Sequence, residues 1–311
     1  MSIIAAISED VLMTDEELLS FSSTAPRRYK KYRIPKRNSS ETRLIAHPSK
    51  EVKFFQRLIV SKLEEVLPVH DCAMAYVKGK SIKDNAEAHK RNRYMLKMDF
   101  KNFFMSITPE LFFYSLEVHN IDIDRQDAKF LEGILFWKLR RNSPLRLSVG
   151  APSSPLISNF VMASFDEHIL AYCKEKGITY TRYADDLTFS TRNKDILFTM
   201  PKVVKSYLAE CCNHKIRVNT KKTVFTSKRF NRHVTGITIS NDESLSLGRK
   251  KKRLISSMVH HFVSDEHDLS YDEIMKLKGY LSFSNSIEPR FIERLAKKYG
   301  IEEINKIKSF S

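Results

Sequence analysis

Three aspartates carry the chemistry that this sequence offers most plainly. Asp99 nearly closes the run YMLKMDF, and Asp185 and Asp186 stand side by side in TYTRYADDLTFS, 86 residues further on (185 − 99). Tyr180, Arg182, Leu187 and Phe189 are extended-chain residues, whereas aspartate is a poor strand former. A hairpin tip with adjacent like charges needs either a compensating cation or only the water that any polar turn meets. On the letters YADD alone the two readings weigh the same. Two neighbouring strands could bring Asp99 and Asp185 into one site, where each carboxylate raises the other's pKa until cations bind. Oxygen donors without histidine or thiolate nearby favour magnesium over zinc. Two such ions about 4 Å apart suit in-line attack at phosphorus, steadying the attacking and the leaving oxygen. Successive strand residues face opposite ways, so Asp185 joins Asp99 as a bridging ligand and Asp186 is secondary.

The elements that must position these groups follow from periodicity. A short N-terminal helix leads to a basic, Pro-containing arm, APRRYKKYRIPKRNSS, then to the extended ETRLIAHPS and a helix from about Lys50 to Leu67. Ser81 opens another helix, with Asp84 completing an approximate capping box. YMLKMDF alternates as a strand that delivers Asp99, and Thr108-Pro109-Glu110 starts a helix. One helix spans Ser154 to Lys176, with Leu156, Phe160, Ala163, Ile169 and Cys173 on its apolar face and Gly177 just beyond. The Asp-Asp hairpin follows, then a helix over about 201–212, a second hairpin VTGITIS-NDE-SLSLG, and a basic helix from Arg249 to about Phe262. This is an α+β pattern with antiparallel hairpins and no Rossmann-like alternation.

Charge points the same way. Lys and Arg total 53 against 37 Asp and Glu, a formal +16, which favours a nucleic-acid partner over the plainer reading of a merely basic protein. Cys72, Cys173, Cys211 and Cys212 show no CxxC pair and no zinc spacing, and read as reduced thiols of a cytoplasmic protein. The N-terminus lacks the basic start of a signal peptide, and no stretch has the apolar length of a bilayer span; no membrane partner is expected.

LKMDFKNFF and YADD together resemble the palm of reverse transcriptases, and the resemblance runs across most of the chain. It implies a right-hand polymerase, with an N-terminal helix and fingers over 1–92, an antiparallel-sheet palm with some fingers elements over 93–247, and a short basic helical thumb over 248–311 that binds RNA. Asp99, Asp185 and Asp186 would be catalytic and hold two Mg²⁺ ions. Phe104 would lie under the sugar of the incoming nucleotide and exclude a ribose 2′-hydroxyl; an ordinary core aromatic is the alternative. SVGAPSSPLISN is similar to the next motif, whose Gly150-Ala151-Pro152 turn lies beside the templating base and the nucleotide. Val149 stands where the family usually has Gln, so that amide's contact is missing. VNTKKTVF resembles the Asn-x-x-Lys-Thr pattern in which Lys222 protonates the leaving pyrophosphate and Asn219 shapes the loop. An ammonium suits that task because charge builds on the leaving oxygen. ETRLIAHP matches the fingers motif, in which Arg43 clamps the triphosphate through its planar fork.

Two short motifs narrow the resemblance to bacterial retron reverse transcriptases: Asn85-Ala86-x-x-His89 in SIKDNAEAHKR, and Val234-Thr235-Gly236 in HVTGITIS. Asn85 and His89 are i,i+4 on one helical face and could contact one RNA ligand, beside Lys90, Arg91 and Arg93; a solvated helix is the alternative. Gly236 allows close approach of an RNA backbone or marks a bulge. From Thr226 to Ser256 there are eight basic residues and two acids. In the run Arg249 to Arg253 a helix spreads the charges, and Arg249, Lys250, Lys252 and Arg253 are the phosphate-binding candidates. Tyr280, Phe283 and Phe291 could stack on RNA loops, although core packing is their plainer role.

The retron resemblance implies a cognate structured non-coding RNA as primer and template, deoxynucleoside triphosphates (dNTPs) as substrates, and priming from the 2′-hydroxyl of an internal guanosine. The product would be branched RNA-linked DNA (msDNA), in a system that defends against phage with an effector protein. No residues follow the thumb for an RNase H domain, so a host RNase H is expected to remove the template. Group II intron-like and diversity-generating reverse transcriptases are alternatives that should lack the two short motifs. Phe104 opposes a viral RNA polymerase, and the intact aspartates oppose a non-catalytic RNA-binding scaffold.

Overall fold

The computed structural model describes residues 2–35, 40–264 and 269–310. Its strands are β1 (Tyr29–Pro35), β2 (Thr42–Pro48), β3 (Tyr94–Asp99), β4 (Thr179–Tyr183), β5 (Asp186–Thr191), β6 (Val224–Ser227), β7 (Arg232–Val234), β8 (Ile237–Ile239) and β9 (Leu245–Ser246). They form three sheets, in the orders β1-β2, β4-β5-β3-β6 and β7-β8-β9. In the four-stranded sheet β5 and β3 are the inner strands. The last residue of β3, Asp99, therefore lies beside the β4–β5 turn, where the Phe100 N–H donates to the Asp185 carbonyl at 3.0 Å. Met95, Leu96 and Met98 of β3 and Leu187 and Phe189 of β5 are all buried, as inner strands covered on both faces require.

Packing divides the chain into two compact units, residues 1–78, 97–189 and 195–224, and residues 79–96, 190–194 and 225–311. These units cut across the three segments expected from the motifs. In the first unit, Asp127 fastens the N-terminal helix Ile3–Val11 by accepting from Ser2 Oγ and from the N–H groups of Ile3 and Ile4 at 2.7–3.0 Å. The expected basic arm is a strand over residues 29–35, paired with β2 from Tyr29↔Pro48 to Pro35↔Thr42; residues 36–39 of the arm lie outside the described residues. Tyr29 and Ile45 bury the base of this ribbon, and its far end is solvated. The helix that starts at Lys50 stops at Leu63, four residues short of the expectation and ahead of Pro68, which disfavours helical backbone at Leu67. The single helix expected over 154–176 is two, Ser154–Val161 and Ala163–Glu175, broken where Met162 leaves the helical ladder at φ −89°, ψ −3°. Among the described residues no helix is long and apolar enough to cross a membrane. All four cysteines are free thiols.

The second unit wraps the helix Ile82–His89, the β7-β8-β9 meander and the helices Arg249–Ser264, Tyr271–Ile287, Pro289–Tyr299 and Ile301–Ser309 around one core, which includes Ala86, Val234, Ile237, Leu277, Leu281 and Ile304. The Ser81–Asp84 capping box is present. Thr235 and Gly236 have φ of +46° and +84° and form the two-residue turn between β7 and β8. Positive φ at both turn positions matches the right-handed strand twist. Of the two readings of Gly236, close approach of RNA or a bulge, the bulge gives way to a hairpin tip. Thr235 Oγ1 donates to the Ile82 carbonyl at 3.3 Å, and Val234 faces the core, not a ligand.

Asn85 and His89 do share a helical face, but it is the inner one: they are 1% and 0% exposed. This corrects the expectation that they reach RNA directly. Asn92 Nδ2 donates to Ser190 Oγ at 2.8 Å, and the same hydroxyl is hydrogen-bonded to His89 Nδ1, 2.6 Å away. The imidazole is neutral there, and burial pushes its pKa down to about 3. The unfolded chain protonates this histidine near its ordinary pKa, whereas the folded chain resists until far lower pH. Stability should therefore fall as pH drops below about 6.5, by up to roughly 1.4 kcal/mol per pH unit from this group. In guanidinium unfolding between pH 7 and 4, His89→Gln should show a correspondingly shallower slope than the parent protein.

Candidate active site

The turn between β4 and β5 is Ala184-Asp185, and Ala184 holds φ +54°, unusual for a residue with a side chain. A buried arginine fastens it from behind. Arg182 is fully buried, and its Nε and Nη2 donate to Asp166 at 2.6–3.0 Å. Its Nη1 donates to Asn159 Oδ1 at 3.1 Å and to the Ala184 carbonyl at 3.2 Å. The Tyr180 hydroxyl donates to Asp166 at 2.8 Å. One guanidinium thus binds the β4–β5 turn to both helices that follow the Gly150-Ala151-Pro152 turn.

Asp99 is 6% exposed. Lys222 Nζ donates to its Oδ2 at 2.7 Å and Asn219 Nδ2 to its Oδ1 at 3.1 Å, while the Asn219 N–H donates to the Asp99 carbonyl at 2.7 Å. The hydrogen bond to Asp99 holds the Lys222 pKa above its usual value. Burial, then the charge on Asp99, raises the Asp185 carboxyl. Asp186 sits at the exposed start of β5; desolvation by its surroundings, then Asp185 and Asp99, pushes it up to about 6. Burial lowers the nearby Lys97 ammonium, which Asp186 partly offsets.

These groups fit a hard cation. Among the described residues no three His, Cys, Asp or Glu side chains converge as a closed metal cage. Magnesium does not need one, since one or two carboxylates with water and substrate phosphates suffice. Asp99 and Asp185 supply that pair, and the ammonium resting on Asp99 shows that a positive charge is welcome there.

A cavity of 380 Å³ has Phe104, Val149, Gly150, Ala151 and Pro152 in its wall; Asp99, Asp185, Asp186 and Arg43 are not among its lining residues. Gly150 has φ +113°, which a side chain would strain. Arg43, exposed on β2, is within electrostatic reach of Asp185. Three further wall residues lie outside the motifs: Lys53, Arg57 and Tyr76. Lys53 and Arg57 are i,i+4 on one helix, a spacing that signals a shared face. Tyr76 gave no periodic signal.

In the second unit, Arg249, Lys250 and Arg253 are exposed, whereas Lys252 pairs with Glu288 at 3.1 Å. Lys251 Nζ lies 4.0 Å from the Phe283 ring centroid and 5.3 Å from that of Tyr280, and Phe291 is in the core. Gly236 is exposed at its hairpin tip.

Comparison with known proteins agrees with this geometry. The family described as Reverse transcriptase (RNA-dependent DNA polymerase) matches residues 34–239. The chain is 49% identical to the Retron Ec83 reverse transcriptase of Escherichia coli, over 91% of this chain and 90% of that protein. It is 31% identical to the Retron Ec86 reverse transcriptase of Escherichia coli, over 97% and 92%. With the Retron Mx65 reverse transcriptase of Myxococcus xanthus it shares 32% identity over 88% of this chain and 64% of that one. Among solved structures, apo telomerase from Candida tropicalis aligns with a TM-score of 0.51 at 13% identity, over 92% of this chain and 64% of that chain, a likeness of fold.

The Arg182–Asp166 pair makes a stability prediction. Arg182→Met strands a buried carboxylate and should cost roughly 3–5 kcal/mol in urea unfolding, while Arg182→Met combined with Asp166→Leu should cost clearly less.

Proposed function

Because this chain belongs to the reverse transcriptases, RNA-directed DNA polymerases with a right-hand fold, and among them to the retron enzymes, we propose that it copies its own structured non-coding RNA into DNA. The hydroxyl oxygen at the primer end attacks the α-phosphorus of a dNTP. A new P–O bond forms, the bond to pyrophosphate breaks, and the hydroxyl proton passes to solvent. Asp99 and Asp185, with Asp186 as a secondary ligand, would hold two magnesium ions, which would supply charge neutralisation for the phosphoryl transfer. Arg43 grips the triphosphate, Phe104 excludes a 2′-hydroxyl, and the Gly150–Pro152 turn seats the base pair. Lys222, once drawn off Asp99, donates a proton to the leaving pyrophosphate.

The observation that carries this reading is the meeting of Asp99 and Asp185 at the ends of neighbouring strands, with their carboxylates within repelling range. The first hydroxyl is the 2′-hydroxyl of an internal guanosine, so the product is branched msDNA. Arg249, Lys250 and Arg253 with the Thr235-Gly236 tip face the RNA, while Asn85, His89 and Val234 hold that surface from within. A host RNase H trims the template, and an effector protein couples the product to phage defence.

On an RNA template, Asp185→Asn should cut dNTP incorporation by at least about 10²-fold, and EDTA should match it; unchanged synthesis would sink the enzyme reading. Phe104→Ala should raise ribonucleotide incorporation relative to deoxynucleotide in a competition assay. Protein purified from its own cells should carry DNA still joined to RNA after proteinase treatment.

A further inference from the structure

We infer that Tyr76 is a contact residue for the incoming dNTP, its ring forming a second wall of the nucleotide cavity alongside Phe104; the inference rests on the polymerase reading above. Tyr76 holds φ +62°, a strained backbone region for an aromatic L-residue. Burial of the ring does not offset that strain, since Tyr76 is 57% exposed. The strain is imposed by a rigid seat. Met74 N–H donates to the Arg182 carbonyl at 2.7 Å, and Arg182 N–H donates to the Cys72 carbonyl at 2.9 Å. The Ala75 carbonyl accepts from Asn159 Nδ2 at 2.9 Å, and Asn159 is itself held by the Arg182 guanidinium. Ala73 and Ala75 are buried, so the chain turns outward at residue 76 and presents its ring to the cavity.

The network that fixes Asp185 from behind thus also fixes the backbone of Tyr76. The tyrosine hydroxyl lies within electrostatic reach of Asp185 and of Arg43, the groups assigned to the reacting phosphates. The cavity it lines also holds Phe104, assigned to the sugar. A ring that shares a cavity wall with Phe104, and that lies within electrostatic reach of Asp185 and Arg43 outside that wall, is placed for a nucleotide. At 380 Å³ the cavity is within the range of small-ligand sites.

Glycine adopts positive φ without strain, so Tyr76→Gly deletes the ring while relaxing the backbone. The test titrates dNTP onto the enzyme bound to an RNA template with a 3′-dideoxy-ended primer, so that binding is read without turnover. Tyr76→Gly should weaken nucleotide binding about ten-fold, equivalent to roughly 1.4 kcal/mol of lost ring contact. Its melting temperature should equal or exceed the parent's, its affinity for template–primer should be unchanged, and Tyr76→Phe should keep most of the nucleotide affinity. Parent-like nucleotide binding by the glycine variant, or a lowered melting temperature with binding intact, overturns the inference. So does lost template–primer affinity with nucleotide binding intact, which would assign the ring to the template. If the parent itself binds and incorporates no dNTP, the polymerase reading fails, and this inference with it.

Discussion

Repulsion among Asp99, Asp185 and Asp186 is the constraint around which the first unit is organised. Burial raises the Asp185 and Asp186 carboxyls, and the like charges brought together by folding push them further upward. Something must hold them against that push. The inner strands β3 and β5 do so through the backbone, Arg182 does so from behind the turn, and Lys222 and Asn219 do so from the flank of Asp99. The site stores an unmet demand for positive charge, which divalent ions and a basic leaving-group donor can answer.

Several buried polar groups are tied into small sets that join distant parts of the chain. Arg182, Asp166, Asn159 and Tyr180 satisfy one another with no surface access. Ser190, His89 and Asn92 form a smaller neutral set in the second unit. Arg232, also buried, gives its guanidinium protons to the carbonyls of Asn92 and Ser240. Groups left unpaired in such places would be costly, so each set specifies one arrangement of its elements. In the first unit that arrangement aims chemistry; in the second it fixes a scaffold.

Much of the site was legible from residue type and spacing. An aspartate at a strand end and a second at a hairpin tip lie where local rules put them, whereas Phe104 and Gly150 were singled out by family resemblance alone. What was not legible is direction. Asn85 and His89 read as a polar helical face, and a polar face ordinarily meets water; here Ser190, about a hundred residues away in sequence, lets the histidine turn inward. Lys252 is indistinguishable from its four basic neighbours until Glu288, 36 residues on, selects it. Tyr76 escaped notice because its position depends on hydrogen bonds from Asn159 and Arg182 to the residues just before it. The kink at Met162 has no counterpart in the apolar periodicity, which continues across it.

Glu288 accepts from Ser246 Oγ, the Leu247 N–H, Lys252 and Arg294, and so joins β9 to two helices through a single carboxylate. The joint is partly buried, whereas Arg249, Lys250 and Arg253 stand in water. Added electrolyte screens charges in water far more than charges sheltered by protein. Raising the ionic strength would therefore loosen the grip of this basic helix's outer face on a polyanion while leaving its mounting intact.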